Sequence, residues 1–367
     1  MSRLKKKQSS ICIITCYRQP DYLRAVTLRR GVTDSNVFND ITIIKNTSTG
    51  AKRYLEVIGA LIKVRWTKNP DVYLITFRGY EILPFVLLIG IGKKIIYDEF
   101  INPVEWFVYE HKIFVGPLAF MGSLLTTIYS IMMKLTAAIM TDTASHAQFS
   151  SRLMSVNRDK YFVVSVGADE TVFKQLASSV NNKRPFRVLY YGSMVPLHGI
   201  SYVLDATVAL RSRRDIEFYI VGGKKATFEL VKAAQLKGAN ITYEPWVEYK
   251  KLPALFATSD LVLGGPFGDT VQSHYVVTGK TYQSLASARP VVVGDNQETK
   301  LFSDKKNALI VKQADSQALV NAVSWSYDHP KQLEAIAKNG RRLYEKEFSS
   351  DRIASHLGRF FTTKHIL

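Results

Sequence analysis

The sequence predicts an α/β fold with two domains, and three observations lead to this prediction. A chain of 367 residues is long for a single hydrophobic core, so two domains are expected. The stretch 71–77 is apolar almost throughout, as in a buried parallel strand. In 259–295, the strand Leu261–Leu263, a Gly/Pro loop, an amphipathic helix and the strand Val291–Val293 follow one another. This order of elements is a βαβ unit.

The loop of this βαβ unit is predicted to bind a diphosphate. It lies at the carboxyl end of the first strand, which is where open α/β sheets bind their ligands. The loop ends in Thr278 and Gly279, and the helix that follows carries Lys280 and Gln283. Because a helix N-terminus offers free N–H groups to a phosphate, these residues are candidates for holding one.

Composition describes a globular protein with a strong positive charge. Hydrophobic residues make up 47% and charged residues 22%, and the net charge is +18. Such a balance favours anionic partners, which include nucleotide-sugars, nucleic acids and acidic lipid headgroups. No RNA-binding aromatic motif, zinc-finger spacing or helix-turn-helix pattern stands out, so nucleic acid is not the expected partner.

The N-terminus is interpreted as cytosolic. Its basic start precedes an apolar run that is shorter than a secretory h-region and is closed by Arg18, and no cleavage site follows. The first thirty residues hold eight Lys or Arg and one Asp, which suits either a solvated face or a surface that meets anionic lipid. The two cysteines, Cys12 and Cys16, are expected to be buried thiols in a reducing compartment.

Five fragments, in their order and spacing, resemble the GT-B glycosyltransferases of retaining family 4. They are VVSVGADETVF (163–173), RVLYYGSMVPLHG (187–199), FYIVGG (218–223), LFATSDLVLG (255–264) and GKTYQSLASARPVVVGD (279–295). The resemblance implies two Rossmann-like domains facing across a cleft, with a C-terminal helix that crosses back to the N-domain. We place the acceptor-binding domain at 1–180, the nucleotide-sugar donor domain at 186–345 and the returning helix at 346–367.

The remaining elements follow from β-branched runs for strands and amphipathic spacing for helices. In the first half, strands are predicted at 11–16, 41–45, 71–77, 94–97, 138–141 and 161–166, and helices at 55–66 and 84–91. A polar, turn-rich linker is predicted at Gln175–Pro185. In the second half, strands are predicted at 187–191, 217–221, 241–244 and 308–311, and helices at 200–211, 316–328, 332–348 and 351–362.

Polar residues after the first-half strands are candidates for binding the acceptor. The resembled family touches donor and acceptor with the loop after its first strand, and here that loop carries Arg18 instead of glycines. Arg78 and Glu81 follow the third strand, and they either contact the acceptor or cap the next helix. Asp98 ends the next strand, where a carboxylate can orient an acceptor hydroxyl or take its proton. His146 either reaches the cleft or has a structural role at the start of the helix.

The segment 113–133 contains no Asp, Glu, Lys or Arg over 21 residues. Glycine, proline and hydroxyl residues dilute its apolar character, and a strand follows almost at once. We interpret it as a buried helix or as an interfacial helix lying on a bilayer. A transmembrane helix is the least favoured interpretation.

For the donor, the resemblance implies a set of residues in the second domain. They are Gly192, Ser193, His198, Gly222, Trp246, Thr278, Gly279, Lys280 and Gln283. Ser193 and His198 stand where the family commonly has Arg and Lys. Gln283 stands in place of the glutamate that holds the ribose hydroxyls, and Tyr275 in place of its partner glutamate. Trp246 either stacks on the nucleobase or packs in the core.

The sequence has no D-x-D motif, so we expect no metal cofactor. A metal-independent site neutralises the diphosphate leaving group with a helix dipole, N–H groups and cations. Lys280 is the main candidate for that catalytic role, together with Asp98 on the acceptor side. In the resembled enzymes the leaving phosphate itself is thought to help deprotonate the acceptor.

The sequence therefore predicts a retaining glycosyltransferase that moves a sugar from a nucleotide-sugar to a lipid-linked or glycan acceptor. It would be cytoplasmic or peripheral on the cytoplasmic face of an anionic membrane. Three alternatives remain open: a catalytically degenerate GT-B subunit that binds a partner or glycan, a nucleotide-sugar epimerase, and a nucleic-acid-binding protein.

Overall fold

The structure, a computed structural model, describes residues 9–114, 116–177 and 184–363. Its strands are β1 Ser10–Thr15, β2 Asp40–Lys45, β3 Val72–Thr76, β4 Lys94–Asp98, β5 Ala138–Thr141, β6 Tyr161–Val163, β7 Phe186–Gly192, β8 Ile216–Gly222, β9 Ile241–Glu244, β10 Leu261–Leu263, β11 Val291–Gly294 and β12 Leu309–Val311. Its α-helices are α1 Leu23–Asp34, α2 Lys52–Thr67, α3 Leu83–Ile89, α4 Ala119–Leu135, α5 Ala144–Met154, α6 Ile200–Ala209, α7 Lys225–Leu236, α8 Leu252–Ala257, α9 Gly279–Ala286, α10 Ser316–Asp328, α11 Pro330–Glu347 and α12 Ser350–Thr363.

The chain divides into two compact units. Unit 1 runs to Val166 and resumes at Ser350, and unit 2 extends from Gly167 to Ser349. In the described residues, each unit contains a parallel six-stranded sheet. The predicted α/β architecture of two Rossmann-like domains is confirmed.

The sheet of unit 1 has the strand order β2-β1-β3-β4-β5-β6. Alternate residues of each strand point to opposite faces. On one face, Ile13 and Leu74 pack with α1 and α12. On the other face, Cys12 and Ile75 pack with α2, α3, α4 and α5. Both cysteines are free and buried, as predicted.

Helix α12 belongs to unit 1 although it ends the described chain. It packs along α1, where Gly31 leaves room for Leu357 and Ile353. The Phe361 ring meets Phe38 edge-on at 4.8 Å between centroids. The C-terminal helix therefore returns to the first domain, as the resemblance implied.

The boundary between the units lies earlier than the predicted position 180. Residues 167–177 group with unit 2, because Phe173 packs on Phe256 and Leu176 N–H donates to the Ser287 carbonyl at 3.2 Å. Much of the predicted linker, Gln175–Pro185, lies outside the described residues, which omit 178–183.

The sheet of unit 2 has the order β12-β11-β10-β7-β8-β9. Strand β7 therefore lies between β8 and β10, and the strand order reverses there. Its core joins Val188 of β7, Phe218 of β8, Leu263 of β10 and Val292 of β11 with helices α6, α7, α10 and α11. A reversal of this kind opens a crevice at the carboxyl ends of the central strands.

The apolar segment predicted at 113–133 forms α4, which begins later, at Ala119. Only Gly122, Ser130, Met132 and Met133 of this helix are buried. The interpretation as a buried helix is therefore wrong, because most of the apolar side chains of α4 point outward. Gly116–Leu135 is long and apolar enough to cross a membrane, by length and composition alone. A core helix of a globular protein can meet the same two criteria.

Candidate functional site

The candidate site of unit 2 lies at the carboxyl ends of β7 and β10. Gly192 ends β7, and Gly264 follows β10 directly. Helix α9 begins at Gly279 next to the loop after β10, since Thr278 Oγ1 donates to the Gly264 carbonyl at 2.7 Å. The predicted diphosphate loop and the end of β7 are thus neighbours in unit 2.

Gly192 leaves space where any other residue would place a side chain. Its φ is 132°, and a Cβ there would lie 3.6 Å from His198 Cε1 and 3.8 Å from Lys280 Nζ. The predicted donor residue Gly222 supports this arrangement. A Cβ on Gly222 would lie 2.3 Å from the Gly192 carbonyl oxygen, so close packing of the two strand ends requires glycine there.

Lys280 is a buried cation in the first turn of α9. It retains 6% exposure, and its ammonium lies 5.7 Å from the centre of the Tyr190 ring. Among the described residues, no carboxylate pairs with this ammonium. Burial lowers the pKa of Lys280 to about 7. A bound anion would supply the missing charge and favour the protonated form.

His198 lies on the other side of the space left by Gly192. Burial, followed by the nearby Lys280 ammonium, lowers the pKa of His198 well below its ordinary value, so the ring is neutral. Its Nδ1 is buried and has no hydrogen-bond partner in the described part of the chain. The turn is held by Tyr190 Oη, which donates to the His198 carbonyl at 2.6 Å. A neutral imidazole in this position can donate a hydrogen bond from its N–H group to a phosphate oxygen.

The N-terminus of α9 is capped by Thr278. Its side-chain oxygen accepts from Thr281 N–H at 3.4 Å, which satisfies one of the first-turn donors. The first N–H groups of an α-helix have no partner within the helix. Gly279 and Lys280, the first two residues of α9, thus place such groups and the positive end of the helix dipole at this edge.

Gln283 is buried and already has hydrogen-bond partners on both ends of its amide. Tyr191 Oη donates to Gln283 Oε1, and Gln283 Nε2 donates to Tyr249 Oη at 3.3 Å. A ribose would therefore have to share or displace these tyrosines. The sequence interpretation missed Tyr190, Tyr191 and Tyr249, although Tyr190 and Tyr191 are visible in the sequence as a tyrosine pair directly before Gly192.

Ser193 and Trp246 are accessible in unit 2. Ser193 is exposed at the end of β7. Trp246 is 74% exposed after β9, so the alternative that it packs in the core is wrong. Its ring has a free face on which a base can stack. Tyr275, in contrast, is fully buried.

In unit 1, Asp98 is buried in an ion pair and does not open to solvent, contrary to prediction. It is 0% exposed and accepts from Arg24 at 2.7 and 3.0 Å. The N–H of Phe77 donates to its other oxygen at 3.1 Å. Burial raises the pKa of Asp98, and Arg24 opposes this rise. The end of β4 faces α1, which carries Arg24, so the pair is part of the core.

His146 is also buried, and the prediction that it reaches a ligand does not fit its surroundings. Its Nδ1 lies 2.7 Å from Asp142 Oδ1, and its Nε2 lies 3.5 Å from Glu99 Oε1. Burial alone would lower the pKa of His146, but the hydrogen bond to Asp142 and the nearby Glu99 carboxylate outweigh it and raise the pKa to about 10. His146 is therefore buried between two carboxylates that favour its protonated form.

The other acceptor candidates lie on the accessible side of unit 1. Arg18 is exposed in the loop after β1. Arg78 follows β3 with φ 54°, next to Phe77 with φ 29°, and two successive residues in this region mark a strained turn. The Arg78 guanidinium lies over Tyr17 at 5.5 Å, and Glu81 pairs with Arg53 at 2.9 Å.

The region 185–329 matches the family model "Glycosyl transferases group 1". A curated relative, MMP alpha-(1->4)-mannosyltransferase of Mycolicibacterium hassiacum, is 28% identical over 222 residues. That match covers 58% of this chain and 51% of the relative. The chain thus spans about half the length of the mannosyltransferase it matches.

Solved structures resemble the chain over nearly its whole length. Anabaena HepE in complex with UDP-glucose has a TM-score of 0.72 at 10% identity, covering 96% of this chain and 99% of that one. Sucrose-phosphate synthase from Thermosynechococcus elongatus has a TM-score of 0.74 at 11% identity, covering 97% and 98%.

These comparisons confirm the predicted fold and the predicted resemblance to glycosyltransferases. The region 185–329 resembles group 1 glycosyl transferases, and the solved structures share the fold that the sequence predicts, the two-domain GT-B fold. The matched region contains Gly192, His198 and Lys280. Membership of family 4 stays a prediction.

Proposed function

We propose that unit 2 binds a nucleotide-sugar and that the chain transfers the sugar with retention to a lipid-linked or glycan acceptor. The observation that carries this proposal is the buried ammonium of Lys280, which has no carboxylate partner among the described residues and adjoins the space at Gly192. A cation buried without a counter-charge costs stability. A diphosphate at this position offsets that cost and explains why the cation is there.

The leaving diphosphate would be neutralised by three features of unit 2. These are the N-terminus of α9, the Lys280 ammonium and the His198 ring. Positively polarised groups held in place before reaction stabilise charge that develops in the transition state. No divalent metal is needed for such a site, and the absence of a metal cofactor is part of the proposal.

The acceptor would be bound by unit 1, where Arg18 and Arg78 are the accessible cations after β1 and β3. Asp98 and His146 both hold buried partners, which favours a reaction without a side-chain base. In such a reaction the leaving phosphate takes the acceptor proton. A lipid-linked acceptor would place the enzyme on the cytoplasmic face of a membrane.

The donor class is supported by what the similar proteins bind. HepE was solved with UDP-glucose, with UDP and glucose, and with UDP, and the curated relative is a mannosyltransferase. We therefore expect a hexose carried on a nucleoside diphosphate such as UDP.

A screen of donor turnover tests the proposal. Purified protein is incubated with UDP-, GDP- and ADP-hexoses in EDTA, with and without a lipid extract, and release of the nucleotide is measured. One donor should be turned over, faster with the correct acceptor, and Lys280→Met should lower the rate at least tenfold. Lys225→Met, at the exposed start of α7, is the matched control and should leave the rate unchanged. Turnover of no donor, or full activity of Lys280→Met, would overturn the proposal.

A second candidate function is a catalytically degenerate GT-B subunit. It is favoured by Gln283, whose amide is held by Tyr191 and Tyr249 instead of standing open. Such a subunit would bind a glycan or a protein partner. It predicts no turnover with any donor and no heat of binding with any nucleoside diphosphate.

A further inference from the structure

Helix α4 of unit 1 presents a continuous apolar stripe to the outside. Phe120, Leu124, Ile128, Ile131 and Leu135 are all 45–67% exposed. Their spacing of four, four, three and four residues places them along one side of a helix. The opposite side of α4 packs through Met132 and Met133 into the core of unit 1. Helix α4 is therefore apolar on both its inner and its outer side.

The two neighbouring helices extend this stripe into a broad surface. Helices α2, α3 and α4 all pack on the same face of the unit 1 sheet. Large apolar side chains are also exposed on α2 and around α3, namely Leu55, Ile62, Trp66, Phe85, Leu88 and Ile91. We call the outward surface of these three helices the α2–α4 face. An exposed apolar surface of this extent marks an interaction site in a folded protein.

Helix α5 shows that the fold itself does not require an apolar outer surface. It packs on the same core through Ala147 and Met154. Its outward positions, however, are Ala144, Gln148 and Arg152. On this face of the sheet, exposed apolar side chains are thus concentrated on α2, α3 and α4. Packing within unit 1 does not explain them, because they point away from its core.

Positive charge accompanies the α2–α4 face. Glu56 is the sole acidic residue of the three helices, and it accepts hydrogen bonds from Thr47 and Ser48 N–H at 2.7 and 2.8 Å. Exposed lysines lie on the helices, in the segments that adjoin them and at the start of β4, namely Lys52, Lys63, Lys68, Lys94, Lys112 and Lys134. Exposed apolar side chains accompanied by lysines complement a surface of acyl chains beneath anionic headgroups.

Helix α4 is suited to lie on a bilayer and not to cross it. By length alone Gly116–Leu135 could cross a bilayer, so the packing of α4 decides between lying on the bilayer and crossing it. The inner side of α4 packs into the core of unit 1 through Leu125, Tyr129, Met132 and Met133. Crossing a membrane would require this side to leave the sheet.

We propose that the α2–α4 face docks on an anionic lipid bilayer, with the outer side chains of the three helices in the interface. This inference deepens the proposed function, because it identifies the part of the chain that would bring the enzyme to a lipid-linked acceptor. Trp66, which is 83% exposed, suits the headgroup level, where tryptophan is favoured.

Vesicle flotation tests the proposal. The protein is mixed with vesicles of phosphatidylcholine alone and with vesicles that contain phosphatidylglycerol. It should float with the anionic vesicles, and tryptophan fluorescence, to which Trp66 contributes, should shift to the blue. The triple variant Leu124→Ser, Ile128→Ser, Ile131→Ser should lower the bound fraction at least about tenfold. Lys134→Glu should lower it about fivefold or more.

A matched control carries serine at exposed leucines of unit 2, Leu230→Ser with Leu236→Ser on α7, and it should float like wild type. Because all these positions are exposed, the urea midpoint should not change. If wild type does not float, or floats equally with both kinds of vesicle, the proposal is wrong. A lipid-free dimer that becomes monomeric in the triple variant would show that a second copy covers the face, and that result also overturns it.

Flotation does not depend on sugar transfer, so the two proposals can fail separately. Loss of donor turnover with intact flotation would remove the proposed function alone. Donor turnover without flotation would remove the docking surface alone.

Discussion

At the carboxyl edges of the two sheets, the described buried charges are paired in unit 1 and unpaired in unit 2. In unit 1, Asp98 is paired with Arg24, and His146 lies between Asp142 and Glu99. In unit 2, Lys280 is also buried, with 6% exposure, but it has no carboxylate beside it in the described residues. A buried charge with its counter-charge holds a fold together, whereas one without a counter-charge is available to a ligand. The comparison therefore separates the structural edge from the candidate donor site.

The largest expected effect comes from breaking the pair in unit 1. Arg24→Met leaves the Asp98 carboxylate buried without its partner, and we expect a loss of about 3–5 kcal/mol of unfolding free energy. Urea denaturation of unit 1, followed by hydrogen exchange in β4, measures it. Arg18→Met, at an exposed arginine of the same unit, should change the free energy by less than about 0.5 kcal/mol. Equal effects of the two substitutions would contradict the structural role of Arg24.

Stability should depend on pH in opposite directions in the two units. His146 has a folded pKa of about 10 against about 6.5 unfolded. Its contribution is complete below pH 6.5 and is lost as the pH rises through 10. Lys280 has a folded pKa of about 7 against about 10.4 unfolded, so unit 2 should gain stability as the pH rises from about 7 to about 10.4.

Hydrogen exchange measures the unfolding free energy of each unit separately, through peptides from β4 for unit 1 and from β7 for unit 2. The rates are measured between pH 6.5 and 9 and corrected for intrinsic exchange. Each slope should be at most about 1.4 kcal/mol per pH unit. His146→Gln should abolish the falling slope in unit 1, and Lys280→Met the rising slope in unit 2. Slopes of the same sign in both units would contradict the difference between paired and unpaired charge.

The smallest effect is expected at the exposed edge of unit 2. Trp246→Ala should weaken binding of the nucleoside diphosphate by about 1–3 kcal/mol if the ring stacks on the base. The urea midpoint should stay the same, because the side chain is largely exposed. Trp325→Phe, in α10 of the same unit, serves as the control for tryptophan loss. Unchanged affinity in Trp246→Ala would remove this residue from the donor site.

Most strands could be predicted because their β-branched runs are local signals. Strands β5, β9 and β10 have the predicted ends, and the others differ by a few residues. Helix α1 was missed, since it buries Arg24 in a basic segment whose pattern resembles a surface. The outward side of α4 was also beyond prediction, because apolar content does not reveal which residues meet a neighbour.

The site was predicted where a motif is contiguous and missed where partners are distant in sequence. Thr278, Gly279 and Lys280 follow one another, and their helix start was predicted from the loop before it. Asp98 was placed correctly at a strand end, but its partner Arg24 lies 74 residues away. Such a pair is formed by packing of α1 on the sheet, and no local pattern in the chain indicates it.

Calorimetric titration of UDP and GDP in EDTA tests the central claim most directly. Wild type should bind one of them with uptake of a proton above pH 7, visible as a dependence of the heat on the ionisation enthalpy of the buffer. Lys280→Met should bind at least tenfold more weakly and without proton uptake, while unit 2 stays folded. Wild-type affinity in Lys280→Met, or binding of neither nucleotide by wild type, would contradict a donor site built on this unpaired lysine.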